Sequence, residues 1–394
     1  MSPHGAEALA AWQALAGSPC TTLLAELSGI DAAPAPGAIE RLRRAHPAAV
    51  VAAAIELSIA RTRARAKFGA RAATLWCDRP GVEMASSPSV AAHKAARFRA
   101  AGAPAIDDLC TGIGGDLAEL ARTAPSVGAD LDPVRAWMAS MNAGTAVRCA
   151  DAALEPGDAP FAHADPARRA GAARIARTED LLPPLGALLP GLRARRGAAV
   201  KLGPGMDLAP GEREAGDEVE FVSERGTLVQ QVLWTGELAR AAGRSTATQV
   251  DAGRTMTGEP GDPPAGGGVS RVLLVPDPAL ERARLLGLAA QAIDAVDAAP
   301  GLGILTADRA PEGEAAGWFE AFEVVEELPA RERNVAAWLA SRGAGIVTVR
   351  TRGGACDPDE WQRALRGPGD EPWTVFVLRL GGERRAYAVR RAVG

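Results

Sequence analysis

The apolar run Ala105-Ile106-Asp107-Asp108-Leu109 breaks directly into Cys110-Thr111-Gly112-Ile113-Gly114-Gly115-Asp116 and then into the helical stretch Leu117 to Arg122. A strand that turns through glycines into a helix opens a parallel α/β sheet, because missing side chains let backbone approach a ligand at the helix start. The dinucleotide spacing G-x-G-x-x-G is not met, since Leu117 stands at the third glycine position. Asp107 on the strand would repel a pyrophosphate and suits a ligand that carries an amino group and a sulfonium. Both features speak against a nucleotide-dependent oxidoreductase.

From Ala103 to Leu238 short apolar runs alternate with helical stretches, as βαβ units around a parallel sheet require. The expected strands are Ala105 to Leu109, Ser126 to Asp130, Ala146 to Cys149, Phe161 to Ala164, Ala198 to Leu202, Val219 to Ser223 and Leu228 to Trp234. Acidic residues stand at successive strand ends. Asp130 can accept both hydrogens of a ribose diol, whereas Asp132, just before Pro133, reads as the N-cap of the next helix. Asp151 can take the exocyclic amine of an adenine, and Asp165-Pro166 closes the fourth strand. Acids at strand ends cap helices routinely, so the ordered set decides rather than any one member. From about Pro104 to Ser223 the chain resembles class I methyltransferases. The resemblance implies a Rossmann-like α/β sheet and S-adenosyl-L-methionine as cofactor, with Asp107, Cys110, Gly112, Gly114, Asp130 and Asp151 around it.

Three further segments narrow the likeness: Phe161-Ala162-His163-Ala164-Asp165-Pro166-Ala167-Arg168-Arg169, Val200-Lys201-Leu202-Gly203-Pro204-Gly205, and Gly345-Ile346-Val347-Thr348-Val349-Arg350-Thr351-Arg352-Gly353 followed by Asp357-Pro358. They are similar to those of bacterial methyltransferases that carry a C-terminal THUMP-like domain. True THUMP domains bind tRNA, so the resemblance implies a structured RNA partner, a tRNA or an rRNA.

The fourth-strand segment should carry the reaction. Amino-methylating enzymes of DNA and RNA often place Asn or Asp, two prolines and an aromatic there. Asp165-Pro166 matches the first half, while Ala167 and Arg168 replace the second proline and the stacking ring. We expect Asp165, Pro166 and Lys201 at the catalytic centre. Arg168 and Arg169 can grip an RNA phosphate or pair with acids of the fold; Arg350 and Arg352 are expected as further substrate contacts. Lys201 with Asp165 and Glu220 also fits the lysine of lowered pKa that ribose 2′-O-methyltransferases use, with Lys94 the one candidate for their second lysine. The simpler reading is a Lys201–Asp165 pair at the sheet edge. His163 reads as packed, and Trp234, Trp338, Trp361 and Trp373 read as core.

A chain of 394 residues is long for one compact domain. The expected division is an N-terminal helical region over 1–85, a methyltransferase domain over 86–240, a linker and connecting α/β region over 241–318, and a small α+β THUMP-like domain over 319–394. The glycines and prolines between Ala241 and Val269 read as loop or linker. In the tail Val335, Trp338 and Leu339 share one helix face, and Asp357-Pro358-Asp359-Glu360 starts another helix. A net charge of −4 means that any nucleic-acid contact is a local patch. The basic stretch from Arg41 to Arg71 is either a solvated face or a phosphate contact.

Five scattered cysteines with no C-x-x-C pair exclude a zinc ribbon and a disulfide scaffold, and no metal is expected. No stretch approaches about 18 apolar residues, and no signal-peptide pattern opens the chain. That reads as a soluble cytoplasmic protein with no membrane partner, its oligomeric state open. The competing reading is a catalytically silent RNA-binding protein that retains the methyltransferase fold.

Overall fold

The computed structural model describes residues 3–168 and 177–392. By its contacts the chain divides into two units, one of residues 1–224, 229–243 and 250–252, the other of 225–228, 244–249 and 253–394.

The first unit opens with helices α1 (Pro3–Leu15), α2 (Thr21–Glu26), α3 (Pro36–Ala45), α4 (Ala48–Phe68), α5 (Arg79–Met84) and α6 (Pro88–Ala100). Prolines in the first turn start α3, α5 and α6, and the side chains of Asp78 and Ser87 cap the last two. Trp12, Leu23, Val51, Leu57 and Phe68 are buried in a core that also takes in Ile113 and Met138. The N-terminal helices therefore share their hydrophobic interior with the glycine turn.

Next come β1 (Ile106–Leu109), α7 (Gly115–Leu120), β2 (Ser126–Asp130), α8 (Pro133–Ala143), β3 (Val147–Cys149), β4 (Phe161–Ala164), β5 (Ala167–Arg168), β6 (Leu181–Leu182), α9 (Leu185–Arg193), β7 (Gly197–Leu202), β8 (Glu218–Glu224) and β9 (Thr227–Gly236). The sheet order is β8-β9-β7-β4-β1-β2-β3, with β7, β4, β1, β2 and β3 parallel and β9 antiparallel to β7. β1, β4 and most of β7 are buried on both faces, which is why they read as apolar runs without alternation. Phe98 packs edge-on against Phe161 and Trp234 over this sheet. Strand order reverses between β1 and β4, the place where open α/β sheets bind ligands at their carboxyl ends.

The second unit contains β10 (Ser245–Gln249), β11 (Arg254–Gly258), β12 (Val272–Pro276), α10 (Pro278–Arg282), α11 (Leu286–Ala292), β13 (Val296–Asp297), β14 (Leu305–Ala307), β15 (Phe319–Pro329), α12 (Glu332–Ala340), β16 (Ala344–Arg352), α13 (Pro358–Leu365), β17 (Glu371–Leu380) and β18 (Glu383–Arg391). The expectation of loop or linker over 241–269 is corrected for 245–258, while 259–269 carries no helix or strand of its own. β10 pairs antiparallel with β11, and Thr246 and Thr248 bond Thr257 and Thr255 across the strands. Paired threonines stabilise a ladder whatever glycines flank it.

A seven-stranded sheet runs β13-β14-β12-β15-β18-β17-β16. β15, which opens the tail, pairs with β12 upstream from Pro276↔Phe319 to Val272↔Glu323. Leu273, Phe322, Phe376 and Tyr387 share one core, while Val335, Leu339, Trp361 and Trp373 bury the helical side. Among the described residues no helix is long and apolar enough to cross a membrane.

Candidate functional site

A cleft of about 770 Å³ lies over the carboxyl ends of the parallel strands, lined by Cys110, Gly112, Asp130, Asp151, Asp165, Pro166 and Lys201. Small-molecule sites have this size. Gly112 has φ +59° and open space where a Cβ would stand, so its bare backbone borders the cleft. Gly114 serves packing instead, since a Cβ there would meet the Ala139 Cα of α8 at 2.9 Å. Cys110 also has a positive φ, 59°, which is uncommon outside glycine. Burial, with Asp130 and Asp165 nearby, pushes its thiol up, so it stays protonated and is no nucleophile.

Asp130 is held by two backbone amides, Gly112 N to Oδ2 at 2.8 Å and Asp132 N to Oδ1 at 2.9 Å. Burial nevertheless pushes its pKa up. A carboxylate that has lost water in this way gains from further donors, and a vicinal diol brings two. Asp132 caps α8, accepting from Val134 N at 2.8 Å and Arg135 N at 3.3 Å. Asp151 accepts from Ala153 N at 2.9 Å.

Asp107 is not brought to the cleft. Successive residues of a strand point to opposite faces, and Asp107 takes the face where Ala159 N (2.8 Å) and Arg195 Nη1 (3.0 Å) hold its Oδ2. Asp108 takes the other face, buried and bonded to His163 Nδ1 at 2.6 Å. Burial pushes Asp108 up. His163 is packed as expected, with Nε2 at 3.1 Å from Lys94 Nζ. Lys94, wholly buried, pairs with Asp116 Oδ1 at 2.8 Å and donates to Ser86 Oγ at 3.2 Å. Burial drives the Lys94 pKa down, against the pull of Asp116.

Asp108, Asp116 and Ser86 are the members of this network that sequence reasoning missed. Asp116 closes the glycine turn itself, which was the available signal. Burial works against the Asp116 charge, but Lys94, His163 and Lys201 outweigh it and hold its pKa well below the usual carboxylate range. A depressed folded pKa gives stability that is full above the ordinary value of 3.8 and is lost as pH falls below it. Asp116→Asn should therefore flatten the fall of melting temperature between about pH 4 and pH 2. An unchanged acid slope would remove Asp116 from this role.

Lys201 Nζ donates to Asp165 Oδ2 at 2.6 Å and to the carbonyl of Met84 at 2.8 Å. Burial opposes its charge, but Asp165 and Asp116 prevail and its pKa is raised. This corrects the idea of a lysine of lowered pKa: Lys201 is a fixed positive charge against Asp165. Glu220 stands apart, buried and bonded to His93 Nε2 and Trp234 Nε1, each at 2.8 Å. Gly5 and Ala8 of α1 and residues Glu83 to Ser86 complete the cleft lining, which no sequence signal announced.

The side chain of Arg168 and the whole of Arg169 lie outside the described residues. Arg350 and Arg352 belong to the second unit. In the basic N-terminal stretch Arg41, Arg63 and Arg71 pair with Glu26, Glu83 and Glu119, and Arg61 bonds the Leu75 carbonyl, so much of that face is committed within the fold.

Residues 319–391 match the family described as THUMP domain-like, and residues 8–66 match a domain of unknown function. An uncharacterized S-adenosylmethionine-dependent methyltransferase of Mycobacterium tuberculosis is 32% identical over 344 residues, covering 83% of this chain and 92% of that protein. The chain belongs to this S-adenosylmethionine-dependent methyltransferase family. The relative from a second strain of that organism has the same identity and coverage. A solved structure described as a methyltransferase from Porphyromonas gingivalis shares the fold, with TM-score 0.72 and 17% identity over 98% of each chain.

The methyltransferase takes S-adenosylmethionine as cofactor, which supplies a methyl group on a positively charged sulfur. The residues present fit it. The open backbone at Gly112 and the desolvated Asp130 carboxylate are what a ribose-bearing ligand needs. Asp165 lies on the far side of the switch point, where an acceptor can donate a hydrogen bond.

Proposed function

We propose that this methyltransferase modifies a structured RNA, a tRNA or an rRNA, held in part by residues 319–394. The observation that carries the reading is the THUMP domain-like match joined in one chain to the cofactor cleft. In this reading Asp130 takes the ribose diol, Asp151 the adenine amine, and Cys110 and Gly112 the backbone contacts of the cofactor. Asp165, with Pro166 and Lys201, aligns the acceptor. Methyl transfer is an in-line displacement, so alignment is most of what the protein must provide.

The tail arginines differ in what they can offer. Arg350 Nη1 is bonded to Glu320 at 2.5 Å and its guanidinium lies 5.0 Å from the Phe322 ring centre, while Arg352 is exposed, 4.0 Å from Glu281. Arg352→Ala should weaken RNA binding and reduce its salt slope by about one contact. Arg350→Ala should lower thermal stability as well, because it breaks a stacked pair. The deciding experiment compares modified nucleosides by mass spectrometry in total RNA from cells with and without the gene. One methylnucleoside should disappear with the gene. An identical set in both cell types would sink the RNA reading.

A further inference from the structure

Of the 44 lysines and arginines only Lys67, Lys94 and Lys201 are lysines, and all three converge on five consecutive residues, Val82 to Ser86. Lys67 Nζ, from the end of α4, donates to the carbonyls of Val82 (2.6 Å), Glu83 (3.0 Å) and Ala85 (2.9 Å). Lys201 Nζ donates to the carbonyl of Met84 at 2.8 Å, and Lys94 Nζ to Ser86 Oγ at 3.2 Å. α5 ends at Met84, and the last four carbonyls of a helix have no partner within it. Ammonium groups supply those partners here, with the sign that a helix C-terminus favours. One compact ammonium can donate to three carbonyls from a single point, whereas a planar guanidinium cannot.

Glu83, Met84, Ala85 and Ser86 line the cleft, and Lys201 ties Met84 to Asp165. Asp130 and Cys149 end the strands on one side of the switch point; Asp165 directly follows β4 and Lys201 lies in β7 on the other. We propose that Glu83 to Ser86 form the wall against which the methyl acceptor is held, with Lys67 a positioning residue that acts through this segment. The proposal rests on the reading of Asp165 as the acceptor contact. With lysines bonded to the carbonyls of residues 82–85, the carboxylate that Lys201 ties to this wall is Asp165. A methyl acceptor with an amine N–H or a hydroxyl O–H suits it.

The test uses the full chain as wild type, Lys67→Met, Lys67→Arg and Met84→Ala. Each is incubated with tritiated-methyl S-adenosylmethionine and extract from cells lacking the gene, which is then separated into RNA and protein fractions. Both Lys67 variants should bind the cofactor within about two-fold of wild type and lose about ten-fold or more in kcat, with little change in apparent KM. Lys67→Arg keeps the charge and should hold the melting temperature without rescuing the rate. Met84→Ala leaves the lysine bonds in place and should change the kinetics without lowering the melting temperature. Wild-type kinetics in Lys67→Arg and Met84→Ala, or cofactor affinity lost in step with rate, would overturn the wall. Label in protein rather than RNA would overturn the RNA reading while the variant ratios still test the wall. No label from the wild type in either fraction would overturn both.

Discussion

Asp165→Ala should slow single-turnover methyl transfer by about 10²–10³-fold while leaving cofactor affinity almost unchanged. The carboxylate stands at the end of β4, away from the Asp130 and Asp151 side of the cleft. What the variant loses is therefore an interaction at the reacting centre, which acts on the rate and not on cofactor binding. It also leaves the Lys201 ammonium, whose side chain is only 12% exposed, without its 2.6 Å counter-ion. Removing one partner of a buried pair costs up to about 3–5 kcal/mol, so the melting temperature should fall too. Asp165→Asn keeps an oxygen for Lys201 and for the acceptor and separates the effects: it should recover part of the stability and part of the rate. A folded Asp165→Ala enzyme with the wild-type single-turnover rate would remove this segment from the catalytic site.

Valine at Gly112 and valine at Gly114 should fail in different ways. Both glycines have φ in the left-handed region, +59° and +82°, which costs a branched residue about 1–3 kcal/mol. At Gly112 the new side chain points into open space at the cleft, so Gly112→Val should fold and lose most of its affinity for S-adenosylmethionine. At Gly114 it meets the backbone of α8 at Ala139, with the Cα at 2.9 Å and the carbonyl oxygen at 3.1 Å. Backbone cannot rotate away, so Gly114→Val should be strongly destabilised or insoluble before affinity can matter. Calorimetric titration and thermal melts decide it. Wild-type affinity in a folded Gly112→Val variant would move the cofactor away from the glycine turn.

The strand and cap signals were legible because their physics is local. β2 and β4 lie at their expected bounds, since apolar runs closed by an acid leave little freedom in where pairing stops. Asp132 and Asp357 cap α8 and α13 from the residue before a proline, an arrangement complete within four residues. The meeting of Asp130, Asp151, Asp165 and Lys201 in one cleft follows from the same logic, because parallel strands align their carboxyl ends.

What the sequence by itself determined is the sheet, its glycine turn and the acids at its rim. Tertiary structure alone decided that two adjacent aspartates are both held inside the fold, because a strand offers both faces and only packing sets Arg195 against Asp107 and His163 against Asp108. It alone paired the threonines of β10 and β11 in a stretch whose composition reads as linker. It alone gathered Lys67, Lys94 and Lys201, up to 134 positions apart in the chain, around the five residues Val82 to Ser86 at the end of α5. Such convergence is set by how helices pack on the sheet, and no short-range pattern of residues encodes it.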